Sequence, residues 1–367
     1  MSSINIGIIG LPQSGKTTVF NALTRGKAGA TRPAEASAPH VGITKIPEPR
    51  LKSLADIFHP PKIVIAEINY TDIGAAARGG KDKGISGELL NRLSNVDELI
   101  VVIRAFADDS IPHPEGSIDI KRDIAAMDLE LIFSDLAIIE RRLGRIESSL
   151  KGAKPAERQG FLHEQETLTK IKTHMEKDLP IRELSLSPAE QKTISNYQFL
   201  TAKPLLFVIN IGEDQLSRSA SLEAEISKSY PREDFRFIAL CGKLESELGQ
   251  LDESAATEFR SDFGIQEAAL ERAIRLSHDL LGLITFLTAG PNEVRAWSIP
   301  NGTTALQAAG KIHTDLARGF IRAEVTGHDD LVRCGGFAEA RKQGLLRLEG
   351  KDYIIQDGDV ITFLFNV

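Results

Sequence analysis

The sequence predicts an α/β protein: a doubly wound open sheet, interrupted by an antiparallel α-helical coiled-coil hairpin and followed by a small β-grasp module. Three observations predict it. An apolar strand near the start breaks at a glycine-framed bend and resumes as a helix. A stripe of apolar residues from Ile120 to Leu150 keeps nearly heptad spacing. From about Leu283 the periodicity switches to alternation typical of strands. The chain has 367 residues, more than the ~250–300 at which one hydrophobic core stops growing. The expected division is residues 1–112 with 200–280 for the open sheet, 113–199 for the helical insertion and 281–367 for the terminal module.

The first element is the strand "INIGIIG", residues 4–10, which runs into "GLPQSGKTT" and then the helix "TTVFNALTRG", where Val19, Phe20 and Leu23 share a face. This order matters chemically. A phosphate cradle needs inward-pointing backbone N–H groups, hence residues that tolerate unusual backbone angles, followed at once by the positive end of a helix. Gly10 and Gly15 permit the turn, and Leu11, Pro12, Gln13, Ser14 and Thr18 complete the wrap. Lys16 can reach the β- and γ-phosphates, and the Thr17 hydroxyl can ligate Mg²⁺. The motif therefore points to a P-loop binding a nucleoside triphosphate.

The next expected strand, "KIVIAEINYTD", ends at Asp72, from which a carboxylate can hold Mg²⁺ through a water. It is followed by "GAAARGGKDKGISG", a glycine- and charge-rich stretch suited to a loop that orders on the terminal phosphate, and by the strand "DELIVVIRAF". Further on, "KPLLFVIN" is a continuous apolar run that suits a strand buried on both faces. It puts Asn210 at a carboxyl end, where open α/β sheets bind ligands. In GTP-specific sheets of this kind the tetrapeptide here ends in Asp and carries Lys at its second place; this chain has Ile211 and Glu213. An Asn side chain can satisfy adenine N6 and N7 together, so ATP is the first reading of the base and GTP the second.

Within the insertion, apolar residues fall at 120, 124, 127, 131, 136, 139, 143, 146 and 150, alternating steps of four and three apart from one step of five. That is a coiled-coil seam, about 45 Å long at 1.5 Å per residue. After the break "KGAKPAERQG", residues Phe161, Leu168, Ile171 and Met175 trace a return arm. Between residues 141 and 158 stand six bases (Arg141, Arg142, Arg145, Lys151, Lys154, Arg158) and two acids (Glu147, Glu157). Clustered bases are what phosphate contacts need, so this tip is a candidate RNA or ribosome contact.

In the terminal module "EVRAWSIP" reads as a strand, "TTALQAAGKIHTDLARG" as one helix with a Thr cap and Gly319 at its end, and "KDYIIQDGDVITFLFNV" as two strands joined at Asp357-Gly358. Trp297 and Tyr353 suit core packing better than base stacking.

A formal net charge of −7 excludes a surface coated uniformly for nucleic acid. Two cysteines, Cys241 and Cys334, are too few for a disulfide framework and fit a reducing compartment. No window reaches the ~18 apolar residues a membrane span needs, and the opening residues lack a leader's basic start and apolar core. A cytoplasmic protein without a membrane partner is expected. Of the eight histidines, only His40 is expected near the nucleotide, on a solvated loop.

These motifs resemble the YchF-type subfamily of Obg-like P-loop ATPases nearly end to end. The resemblance is carried by "GLPQSGKTT", by "IPEPRL" at 46–51, by "NIGE" at 210–213, by the helical insertion, and by "FLTAGPNEVRAWSIPNGTTALQAAGKIHTDLARGFIRAEV" and "EGKDYIIQDGDVITFLFNV". The last two are similar to the family's TGS domain. The resemblance implies Mg²⁺-dependent hydrolysis of ATP, less often GTP, and association with ribosomes, the large subunit included. It also implies that Lys16 and Asp72 are catalytic and that a first-switch threonine ligates the metal. Here Ala36 stands at that place, with Ser37 beside it as the substitute ligand. The second switch departs too: Gly74 comes one place early and Ala75 occupies the glycine position. Ala76 stands where a Ras-like enzyme has a water-orienting glutamine, and the resemblance implies an apolar residue there. Slow intrinsic turnover, raised by a partner, is the resulting expectation. The alternatives are a GTPase and a nucleotide-gated ribosome- or RNA-binding protein with negligible hydrolysis. The sequence carries no sign of oligomeric state.

Overall fold

The computed structural model describes residues 4–25, 40–73, 87–231, 235–262 and 267–366. It divides into two compact units, one of Asn5–Ile43 and Asn69–Leu270, the other of Met1–Ile4, Thr44–Ile68 and Glu271–Val367. The helical insertion falls inside the first unit. Residues 44–68, grouped on sequence with the open sheet, fall in the second.

Strands β1 (Ile4–Gly10), β2 (His40–Lys45), β3 (Ile63–Val64), β4 (Glu67–Asp72), β5 (Glu98–Arg104), β6 (Leu205–Asn210) and β7 (Phe235–Leu240) precede the terminal module. The open sheet has the order β2-β4-β1-β5-β6-β7. β1 pairs parallel with β5, β5 with β6 and β6 with β7, so Gly10, Arg104, Asn210 and Leu240 all come to carboxyl ends. The order reverses about β1, which opens a crevice at those ends. Every residue of β5 and β6 is buried, which explains their unbroken apolar runs. The expected strand over 62–72 is instead two: β3 joins the other sheet beside β9, and β4 ends at Asp72 as read. His40 opens strand β2 rather than lying on a loop, exposed, with its ring set edge-on to Phe20 and the two centroids 6.3 Å apart.

The insertion begins with one helix, Ile120–Leu150, whose Asp119 cap accepts from the Arg122 N–H at 3.1 Å. Its return arm is Pro155–Met175, with proline in the first turn where no N–H is missed. The irregular step of five has a physical cause. Ile124, Met127 and Leu131 pack into the core of the open sheet, whereas Ile132, Ile139 and Ile146 pack against Leu168, Ile171 and Met175. One residue turns a helix by about 100°, so the apolar stripe shifts by one place where the helix changes partners. Two polar contacts reinforce the insertion. The buried Asp135 accepts from Leu200 N (3.0 Å), Thr201 N (2.8 Å) and Thr201 Oγ1 (2.7 Å). Arg142 forks onto Glu164 of the return arm at 2.8 and 2.7 Å.

The second unit is a mixed sheet of order β11-β10-β12-β8-β9-β3, with β8 (Leu283–Ala289), β9 (Val294–Pro300), β10 (Phe320–Gly327), β11 (Arg347–Glu349) and β12 (Asp359–Phe365). Alternate residues serve opposite faces. Phe286, Trp297 and Ile361 pack with Ala305 and Ala308 of the helix Ala305–Ile312, while Leu287, Ala296 and Val360 pack with Leu51 and Leu54 of the helix Arg50–Phe58. Arg50 fixes that helix, donating to Glu48 at 2.6 Å and to Asp357 at 2.7 Å. The single helix expected over 303–319 is broken at His313, whose extended backbone starts a second helix, Thr314–Arg318, and whose Nδ1 accepts from Asp315 N. The expected hairpin at Asp357-Gly358 does not form. Gly358, at φ 82°, gives its N–H to Thr285 O, so only β12 remains a strand. Trp297 is core, under the Arg295 guanidinium at 4.0 Å and donating to Thr288 Oγ1. Tyr353 donates to Asp359 at 2.8 Å.

Candidate functional site

β1 ends at Gly10, and the bend that follows holds Gly10 at φ 153°, Gln13 at φ 61° and Gly15 at φ 90°. A Cβ on Gly10 would lie 2.4 Å from Val102 O, and one on Gly15 would lie 2.2 Å from Asn210 Nδ2. Both glycines are therefore required by angle and by space. Leu11 turns its side chain into the core, Ser14 is 1% exposed, and Gln13 faces solvent. The helix Lys16–Leu23 starts without an acidic residue in its first turn and without a side-chain cap, which leaves its partial positive charge for an anion.

Lys16 folds back over the bend. Its Nζ donates to Gly10 O at 3.1 Å and Leu11 O at 2.8 Å, and the residue is only 6% exposed. Burial pushes its pKa down to about 8, against the upward pull of the Asp72 carboxylate. One helical step on, Thr17 Oγ1 donates to Asp72 Oδ2 at 2.9 Å. A hydroxyl and a carboxylate side by side are the oxygen donors a hard divalent cation takes, so these residues fit Mg²⁺. The Ser14 Oγ, buried and with no hydrogen-bond partner among the described residues, adds an unspent polar atom to the bend.

Asn210 arrives at the site but not as a free reader of a base. Its Nδ2 donates to Ser14 O at 3.0 Å, and its Oδ1 accepts from Gly242 N at 3.0 Å. The amide thus stitches the bend to a second strand-to-helix turn and keeps one N–H and one lone pair. Ile211, expected at the nucleotide, packs into the core and gives its N–H to Leu240 O. Glu213 is exposed and paired with Lys243 at 3.0 Å.

Sequence reasoning missed the turn at Gly242 and the ring of Phe106. The first carried a signal: "FRFIALCGK" repeats the apolar-strand, glycine, helix order of the first motif. The second carried none, since Phe106 is placed by Arg104, whose side chain bonds Phe106 O (3.2 Å), Asp108 O (3.3 Å) and Ile111 O (2.9 Å). Ala36, Ser37 and Gly74 to Ala76, with the charged loop as far as residue 86, lie outside the described residues. At the hairpin tip Arg141, Arg145, Lys151, Lys154 and Arg158 are exposed, while Arg142 is half-buried and spent on Glu164.

A family model, YchF-GTPase_C, described as a protein of unknown function (DUF933), matches residues 283–366. The ribosome-binding ATPase YchF of Bacillus subtilis (strain 168) is 40% identical over 369 residues, covering 100% of both chains. Its namesake from Escherichia coli O157:H7 is 37% identical, covering 98% of this chain and 99% of that one. The solved YchF GTPase of Schizosaccharomyces pombe superposes with a TM-score of 0.85 at 29% identity, over 99% of this chain and 98% of that one. A GTP-binding protein from Pyrococcus horikoshii OT3 shares the fold, with a TM-score of 0.60 at 18% identity. Among the described residues no helix is long and apolar enough to cross a membrane.

Proposed function

The chain belongs to the YchF family of P-loop nucleotide triphosphatases, and from that membership we propose that it binds and slowly hydrolyses ATP as a ribosome-associated factor. The observation that carries the reading is the buried Lys16 ammonium one residue from the Thr17–Asp72 pair, at the foot of a bend that only glycine can make. Gly10 to Thr18 wrap the phosphates. Lys16 stabilises charge that develops on the β–γ bridge and γ oxygens as water attacks in line. Thr17 and Asp72 hold Mg²⁺, with Ser37 as a third candidate ligand, and the metal when bound neutralises phosphate charge. Asn210 holds the bend in register, and its remaining N–H, with Glu213, faces the purine.

Ribosome contact is assigned to the five exposed bases of the hairpin tip, working with the terminal TGS-type module, and the large subunit is the proposed site. In this scheme residues 1–112 with 200–280, 113–199 and 281–367 are the nucleotide, hairpin and TGS working parts. GTP is the second reading, favoured by the likeness to the S. pombe protein, a YchF GTPase. A gated binder with negligible turnover is the third, favoured by the drifted switch residues.

Calorimetry with ATP and GTP in Mg²⁺ distinguishes the first two: GTP bound tenfold more tightly would overturn the ATP assignment. Single-turnover phosphate release, with and without ribosomes, distinguishes the enzyme from the gated binder. No release above background in either condition would remove the hydrolytic claim.

A further inference from the structure

Arg104 closes β5, is 3% exposed, and gives its hydrogen bonds to the loop that follows it. Three carbonyls, Phe106 O, Asp108 O and Ile111 O, converge on its guanidinium, and its Cζ lies 4.6 Å from the centroid of the Phe106 ring. The chain must curl back on itself to bring those carbonyls to one side chain. The curl leaves Phe106 half-exposed, with its Cε1 only 3.7 Å from where a Cβ on Gly15 would stand, beside the Asn210 amide. The ring is therefore at the mouth of the site, one face covered by a buried cation. Five donors in a rigid fork suit this task, and a lysine would not span three acceptors.

We propose that Arg104 is a positioning residue for the proposed nucleotide site: it sets the Phe106 ring as the wall against which the purine is laid, and so governs base affinity without touching ligand. The inference rests on the ATP reading above. Stacking on an aromatic side chain is worth ~1–3 kcal/mol per base, which corresponds to about five- to 150-fold in affinity. Phosphate binding belongs to Gly10–Thr18 and owes nothing to the ring. The purine-dependent part of affinity should thus fall while the phosphate-dependent part stays.

The test is calorimetric, on the full chain, with ATP and with inorganic tripolyphosphate. Arg104→Met and Phe106→Ala should each weaken ATP about tenfold and leave tripolyphosphate within about twofold. The double variant should bind ATP no worse than either single one, because both act through one ring. Should Arg104→Met not fold, Arg104→Lys, which keeps charge and stem but loses the fork, is read in the same way. Equal weakening of both ligands would mean a merely structural arginine and overturn the proposal, as would unchanged ATP affinity in the Arg104 variants. If the wild-type chain bound ATP no better than tripolyphosphate, the ATP reading itself would fall.

Discussion

Replacing Gly15 by alanine tests the stitched bend directly, because the new methyl would lie 2.2 Å from Asn210 Nδ2. Two penalties follow. Holding a non-glycine residue in the left-handed region costs ~1–2 kcal/mol. Displacing the Asn210 amide leaves Ser14 O and Gly242 N, its two partners, without their bonds, at ~1–3 kcal/mol for each buried group. The sum is about 3 kcal/mol at the lower values. Asn210→Ala breaks the same two bonds and should cost ~2–6 kcal/mol. In the double variant the methyl no longer meets an amide, so its cost falls to the backbone angle alone. The pair should then be less destabilising than the sum of the singles by ~2–3 kcal/mol, within the range of contacting residues. Scanning calorimetry reads this on the transition of the unit holding both residues, where Gly15→Ala should lower Tm by roughly 10 °C at ~2–4 °C per kcal/mol. Additive losses would refute the stitch, since they would mean that Gly15 and Asn210 contribute independently.

Lys16→Ala should abolish measurable ATP binding by calorimetry while the far-UV spectrum is retained, because the side chain's hydrogen bonds go to two loop carbonyls and not to a core partner. Asp135 predicts a pH effect. Burial raises its pKa to about 6, against the hydrogen bonds from Thr201 and Leu200 that pull it down. An unfolded aspartate titrates near 3.9, so between these values the folded chain binds more protons and stability falls as pH rises. Relative to Asp135→Asn, the wild type should lose about 2 kcal/mol between pH 4.5 and 7 by urea titration; a parallel pair of curves would contradict this. Glu164→Ala releases Arg142. Amide exchange across the hairpin should accelerate, with a cost of ~1–2 kcal/mol for a partly exposed charge-assisted pair. The freed cation should also steepen the salt dependence of binding to a short RNA duplex by up to about one unit of slope.

Much of the fold is legible because burial writes directly into sequence. β6 is buried on both faces and reads as an unbroken apolar run; the hairpin seam reads as heptads; the first bend needs glycine at Gly10 and Gly15 for reasons of angle and space that hold whatever surrounds it. The pieces that were not legible are those whose state is chosen by a distant partner. Whether 44–68 belongs to one unit or the other depends on Leu51 and Leu54 meeting the outer face of the second sheet and on Arg50 meeting Asp357, 307 residues away. The break at Ile65–Ala66 has the same origin, since each half of "KIVIAEINYTD" alternates acceptably and only the strand beside it decides which sheet it joins.

The same distinction runs through the site. Lys16 and Thr17 sit on the element that names them, and local order is enough to find them. Asn210 is recognisable as a carboxyl-end residue, but what its amide does is fixed by Ser14 and Gly242, 196 and 32 residues away. A side chain with two donors and two lone pairs can be spent on backbone or on ligand, and sequence order does not say which claim comes first. Here the backbone takes one donor and one acceptor, so the amide, 4% exposed, is held in one orientation and can meet a base only with the one N–H and one lone pair that remain. In the proposed site, discrimination between adenine and guanine would rest on that donor and acceptor together with the Phe106 ring and the Glu213 carboxylate, which Lys243 holds at 3.0 Å. The ring and the carboxylate would offer stacking and an exchangeable acceptor, both of which tolerate either purine more than a freely turning amide would. The site as built should therefore separate ATP from GTP by a modest ratio, set by where Glu213 turns when Lys243 lets it go.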